Sequence, residues 1–191
     1  LGLEKDVLYS DAWYIPIAHK NIDNIVPEDK VAWFIDKFIR PILEQKKIVC
    51  HFGAYDSKVM FIYGIIINLV HDTMIMLRLS HGAENTMMKL GLKPNSKRFL
   101  GRDSFELDDF VKGKWGMGDV TFADLPYESV KYYACPDTDN MMALLELGKK
   151  ENWWDRWGMR RVYELEVAFT KVVAYQEFFG HHVAVGKIAK L

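Results

Sequence analysis

The sequence has only two cysteines in 191 residues, Cys50 and Cys135, both in apolar surroundings. That excludes a disulfide framework and reads as two buried thiols in a reducing compartment. A long hydrophobic run is also missing. The best candidate, VMFIYGIIINLV, has about 12 residues, short of the roughly 18 that a membrane span needs, and reads as core. Charge of one sign is missing too. With 25 basic and 26 acidic residues the formal net charge is -1, which excludes a bulk polycation. Any nucleic-acid contact is then local, or shielded by metal ions. No internal repeat, low-complexity tract or signal peptide is read. The opening LGLEKDVLYSDAWYIPIAH begins in mid-pattern, as if a strand were already under way, and predicts a fragment cut inside a domain.

What is present is apolar mass. Half of the residues are hydrophobic and 14% aromatic, enough for a sizeable core in one domain with a piece of a second. LGLEKDVLY and AWYIPIAH read as two short strands. In EDKVAWFIDKFIRPILEQ the apolar residues Val31, Phe34, Ile35, Phe38, Ile39 and Ile42 have helical spacing. KKIVCHF predicts a strand, broken by Gly53, and AYDSKVMFIYG a helix ending at Gly64. IIINLV reads as a buried strand, HDTMIMLRLSHG as a helix capped by Asp72 and closed by Gly82, and ENTMMKLGL as a further short helix. Lys93–Thr121 is polar and glycine-rich and predicts a loop excursion. A long helix is expected from Tyr127, and a last helix with a turn at Gly180. Alternating strands and helices predict an α/β sheet flanked by helices.

The informative stretch is KYYACPDTDNMMALLEL, Lys131–Leu147. On a helix, Val130, Tyr133, Ala134, Asp137, Met141, Leu144 and Leu145 share one face, and Asp137 is its only carboxylate. An ionised carboxylate on an apolar face is costly unless paired. Tyr133 lies one turn before it, so both can address one site. The competing reading starts a new helix near Pro136 and makes Asp137 a first-turn group at its positive end. Asp56 has the same two readings. It follows a strand across a glycine turn, where ligands sit in α/β sheets, and it also lies in a helix's first turn. Asp72 reads as a structural cap. The six histidines show no zinc-ligand spacing.

AWYIPIAH, HFGAYD, HDTMIMLRL and TFADLPYESVKYYACPDTD resemble, in that order, the 3′–5′ exonuclease domain of family A DNA polymerases. AYD resembles the second exonuclease motif, with a metal-binding aspartate at Asp56. YACPD resembles the third, Tyr-x-x-x-Asp, with Tyr133 and Asp137. YELEVAFTKVVAYQEFFGHHVAVG resembles the segment leading into the polymerase thumb. The resemblance implies an RNase H-like fold with a mixed sheet over residues 1–160, lacking its first strand, and a connector with the start of the polymerase domain over 161–191. It implies proofreading hydrolysis of the 3′-terminal phosphodiester of single-stranded DNA. Asp56 and Asp137 would bind two divalent ions, Mg²⁺ or Mn²⁺, and Tyr133 would orient the attacking water. A polymerase domain in the same parent chain, no membrane, and the cytoplasm of a bacterial or phage-infected cell are implied with it.

Tyr55 and Phe105 are the expected DNA contacts, by stacking on unpaired bases, although core packing is the commoner role of an aromatic. Lys112 and Lys114 could reach phosphates but read more simply as solvated loop charges. ENWWDRWGMRR and the helically spaced methionines and tryptophans read as core. Three departures stand out. No Asp-x-Glu, the first exonuclease motif, occurs anywhere in the 191 residues, so two of four metal ligands are missing and this chain by itself is expected to be inactive. Phe52 stands where the family has asparagine. Pro136 stands where an acidic residue is common, and predicts a kink. Two alternatives stay open: a stand-alone RNase D-like exonuclease, and a catalytically degenerate platform that binds DNA.

Overall fold

The computed structural model describes residues 11–20, 24–82, 90–103 and 122–180. The expected strand in LGLEKDVLY, most of the ENTMMKLGL helix, Phe105, Lys112 and Lys114 lie outside them. The described chain is mixed α/β. A short 3₁₀ turn leads into α1 (Val31–Phe34), a wider π turn (Ile35–Ile39) and α2 (Arg40–Gln45). Then come β1 (Ile48–Cys50), α3 (Gly53–Phe61), β2 (Leu69–Asp72), α4 (Thr73–Leu77), α5 (Leu92–Asn95), α6 (Tyr127–Lys150) and α7 (Arg160–Phe179).

β1 and β2 pair in parallel, Ile48 with Leu69, Val49 with His71 and Cys50 with Asp72, with an irregularity after Ile48. A parallel pair needs a crossover, and α3 supplies it. Gly53 lets this helix start close to the sheet. A Cβ there would stand 2.8 Å from Leu69 Cδ2 and 3.2 Å from Cys50 Cβ. Among the described residues the sheet has these two strands. The core joins Ile35, Cys50, Ile67, Leu69, Met76, Leu77, Leu144, Leu145, Trp153 and Tyr163. Leu144 and Leu145 are at most 1% exposed, each contributing about 1.5–3 kcal/mol by burial.

α6 runs unbroken through Pro136. The proline removes the N–H that would reach the carbonyl of Tyr132. Both residues are exposed, so the released carbonyl lies on the solvent side and the helix tolerates the loss. Glu128 in the first turn and Lys149 and Lys150 in the last complement the helix dipole. Tyr163, Val167, Thr170 and Ala174 are the buried face of α7, which packs along α3. Lys58 pairs with Glu177 at 2.6 Å between these two helices.

Several expectations are corrected. AWYIPIAH is irregular coil, not strand. Trp13 is 85% exposed, and Tyr14 is held by a hydrogen bond to His19, five residues on, not by a neighbouring strand. The strand expected over IIINLV begins only at Leu69 and runs to Asp72. Ile65 and Ile67 are buried in irregular chain before it. The start of the expected loop at Lys93 is helical as far as Leu100. There Asn95 and Ser96 side chains donate to the carbonyls of Gly91 and Leu92, and Leu100 is buried. Cys50 is a buried thiol, but Cys135 is half-buried. Trp153 is core, whereas Trp33 and Trp157 are exposed.

Candidate active site

The continuity of α6 decides between the two readings of Asp137. It lies at the middle of a 24-residue helix, far from the positive end, so first-turn dipole compensation is excluded. Asp56 does lie in the first turn of α3. Both carboxylates line one cleft of about 500 Å³. β1 forms one side through Ile48, Val49 and Cys50. His51 and Asp56 continue beyond its carboxyl end, and Asp137, Thr138 and Met141 of α6 face them. A carboxylate sits in the helix stripe because the stripe opens there on a cleft.

The electrostatics of Asp56 follow from this placement. Burial raises its pKa, the Cys50 thiol lowers it by donating to the carboxylate, and the charge of Asp72 raises it. Burial, with Asp56 nearby, pushes the Cys50 thiol well up, so it is a neutral donor and not a nucleophile. His51 is a residue that sequence reasoning missed; nothing in its spacing marked it. Its Nδ1 lies 2.8 Å from Thr73 Oγ1. Burial lowers its pKa, opposed by the charge of Asp72 and the Leu90 backbone, so the ring is neutral at pH 7.

Asp72 is the cap the sequence predicts, and it does more. It is 2% exposed. Oδ1 accepts from the backbone N–H groups of Met74 at 2.9 Å, Ile75 at 3.3 Å and Phe52 at 3.2 Å, and Oδ2 accepts from Gly53 at 2.7 Å. One carboxylate thus ties together the starts of α4 and α3. Phe52 is held there at φ 73° and ψ 54°, a left-handed conformation that asparagine adopts more readily than phenylalanine. Behind the pair, the buried Tyr163 hydroxyl accepts from the Asp72 N–H at 3.1 Å and lies 3.0 Å from His71 Nδ1. Its pKa is raised to about 12 by burial.

The other expected site residues fall elsewhere. Tyr133 is half-buried and does not line the cleft. Its ring packs on Phe122, 5.5 Å between centroids, with Lys93 Nζ 4.0 Å from its own centroid. Tyr55 is 60% exposed beside Asp56, available to a ligand but outside the cleft. Two residues past Asp137, Asp139 is buried in an ion pair with Arg102 at 2.7 Å, and Arg102 also donates to Asn140 at 3.1 Å. This polar knot fastens the segment after α5 to α6.

The carboxylate oxygens of Asp56 and Asp137 suit a hard divalent cation in kind. They fall short in number. Among the described residues no group of three or more His, Cys, Asp or Glu side chains converges on a metal position. No described helix is long and apolar enough to cross a membrane. No protein-family model matches the chain, and a search of curated proteins finds no significant match.

Proposed function

We propose that this chain is a 3′–5′ exonuclease domain of the family A DNA polymerase type, with an RNase H-like fold. Its substrate is the unpaired 3′ end of DNA. One observation carries the reading: Asp56 and Asp137, remote in sequence and on different helices, line one cleft at the carboxyl end of β1. Asp56 and Asp137 would be this chain's share of the ligands to divalent ions, which when bound would supply charge stabilisation and an activated water. Exposed Tyr55 stacks on a terminal base. His51 stays neutral and sets the polarity of the cleft wall. With two of four carboxylates, hydrolysis by this chain alone is negligible.

The test is Mn²⁺ binding by the full chain, followed by calorimetry with a single-stranded oligonucleotide present. Weak binding is expected, lost in both Asp56→Ala and Asp137→Ala, with little nucleotide release from a 3′-labelled strand. Binding indifferent to both substitutions would sink the reading. A second reading is a degenerate platform that binds DNA without cleaving it. It is favoured by the apolar lining of the cleft, Leu43, Met60, Ile67 and Leu92, and by the contacts of Tyr133 with Phe122 and Lys93. Mn²⁺-independent oligonucleotide binding would distinguish it.

A further inference from the structure

A second cavity opens between α4, α7 and the start of α3, and it shares no lining residue with the cleft of Asp56 and Asp137. Two helix stripes build it. On α7, Glu166, Phe169, Thr170 and Val173 line it, spaced as one face of a helix. Met74, Ile75 and Arg78 line it from α4 and the turn that continues it, again at steps of three and four. Phe52 adds an aromatic wall. Its left-handed backbone, φ 73°, is an outlier for so bulky a residue, and such outliers gather at ligand sites. The cavity measures about 160 Å³. An apolar cavity of about 150 Å³ admits a single benzene ring, whereas pockets for drug-sized ligands start at roughly 300 Å³. The space therefore suits one ring and excludes a nucleotide.

Charge narrows the ligand further. Asp72 borders the cavity, but its two oxygens already accept from four backbone N–H groups. Arg78 and Glu166 also line it, and both are exposed. Neither forms an ion pair among the described residues. A ring pocket with one unengaged guanidinium and one unengaged carboxylate complements a molecule that carries an apolar ring, an anion and a cation together. From these observations we propose that the cavity binds a free aromatic α-amino acid of the size of phenylalanine. The ring packs among Phe52, Met74, Ile75 and Phe169. Arg78 takes the carboxylate, which a guanidinium can hold bidentately, and Glu166 takes the ammonium. The occupant is a free amino acid and not a segment of polypeptide, because a phenylalanine within a chain has neither charge. The site is independent of the exonuclease reading.

A ligand-observed NMR titration of the full chain with phenylalanine tests it. Saturable binding is expected, with a dissociation constant on the order of 0.1 mM. Phenylalaninamide, which lacks the carboxylate, and N-acetylphenylalanine, which lacks the ammonium, each bind about tenfold more weakly. Arg78→Gln weakens phenylalanine about tenfold and leaves phenylalaninamide unchanged. Glu166→Gln weakens phenylalanine equally and leaves N-acetylphenylalanine unchanged. Both positions are exposed, so the circular dichroism spectrum stays that of the parent. Asp137→Ala leaves phenylalanine binding intact, which separates this site from the cleft. No saturable binding, or binding indifferent to both Arg78→Gln and Glu166→Gln, would overturn the proposal. N-acetylphenylalaninamide binding as tightly as phenylalanine would also overturn it, and would give the cavity to a side chain of a polypeptide.

Discussion

A carboxylate in a cleft wall titrates differently from one in water, and Asp56 shows the consequence. Burial, the dominant influence, raises its pKa above the ordinary 3.8. Below that value Asp56 is protonated in both folded and unfolded chains and costs nothing. As pH climbs through the raised folded value the carboxylate must ionise inside the cleft, and stability is lost. Asp56→Asn therefore melts higher than the parent at pH 7, and the difference vanishes toward pH 4. Thermal melts of both proteins at the two pH values check this. An asparagine variant less stable at pH 7 would mean that the charge is compensated in the folded chain. A group that weakens the fold while facing a cleft is better explained by binding than by architecture. Asp72 is the opposite case, since all its contacts are internal.

At the scale of elements, Asp72 joins β2 to the starts of α3 and α4, and this changes what a conservative replacement does. Asparagine caps a single helix nearly as well as aspartate. Here both oxygens accept, and the second takes the Gly53 N–H. Asp72→Asn must turn an amide donor toward one of these N–H groups, at a cost of roughly 1–3 kcal/mol, readable as a lower denaturant midpoint. An unchanged midpoint would show that α3 is held without the second oxygen. The cap itself was legible in the sequence, because an aspartate before an apolar helical pattern is a local signal. So were α3, α6 and α7, whose apolar spacing is long enough to set the period. The short strands were harder. IIINLV is apolar throughout and carries no period, so its hydrogen-bonded part, Leu69–Asp72, could not be read from hydropathy. AWYIPIAH alternates like a strand, yet a strand also needs a partner, and pattern alone does not supply one. Asp137 was legible as an anomaly in a stripe. The ion pair of Asp139 with Arg102 was not, since nothing local links residues so far apart.

For the whole molecule, charge limits how nucleic acid could be held under the proposed function. The net charge is -1, and the described residues lining the cleft include two carboxylates and neither lysine nor arginine. Arg40, Lys58, Lys97, Arg102 and Lys149 are already engaged in ion pairs. If the proposed exonuclease reading holds, affinity at this cleft comes from stacking and from metal ions between phosphates and carboxylates, not from lysine or arginine in the cleft wall. Each phosphate neutralised on single-stranded DNA contributes about −0.7 to the slope of log affinity against log salt. A slope no steeper than about −2, near three phosphates, is expected for a short oligonucleotide in the absence of divalent ions. Adding Mn²⁺ should strengthen binding by the parent chain and leave Asp56→Asn and Asp137→Asn unchanged. Fluorescence anisotropy across a salt series measures both effects. A slope near −5 would reveal a basic surface that dominates binding. An equal response to Mn²⁺ in parent and variants would detach the two aspartates from the strand. Either result would move the proposed DNA site away from this cleft.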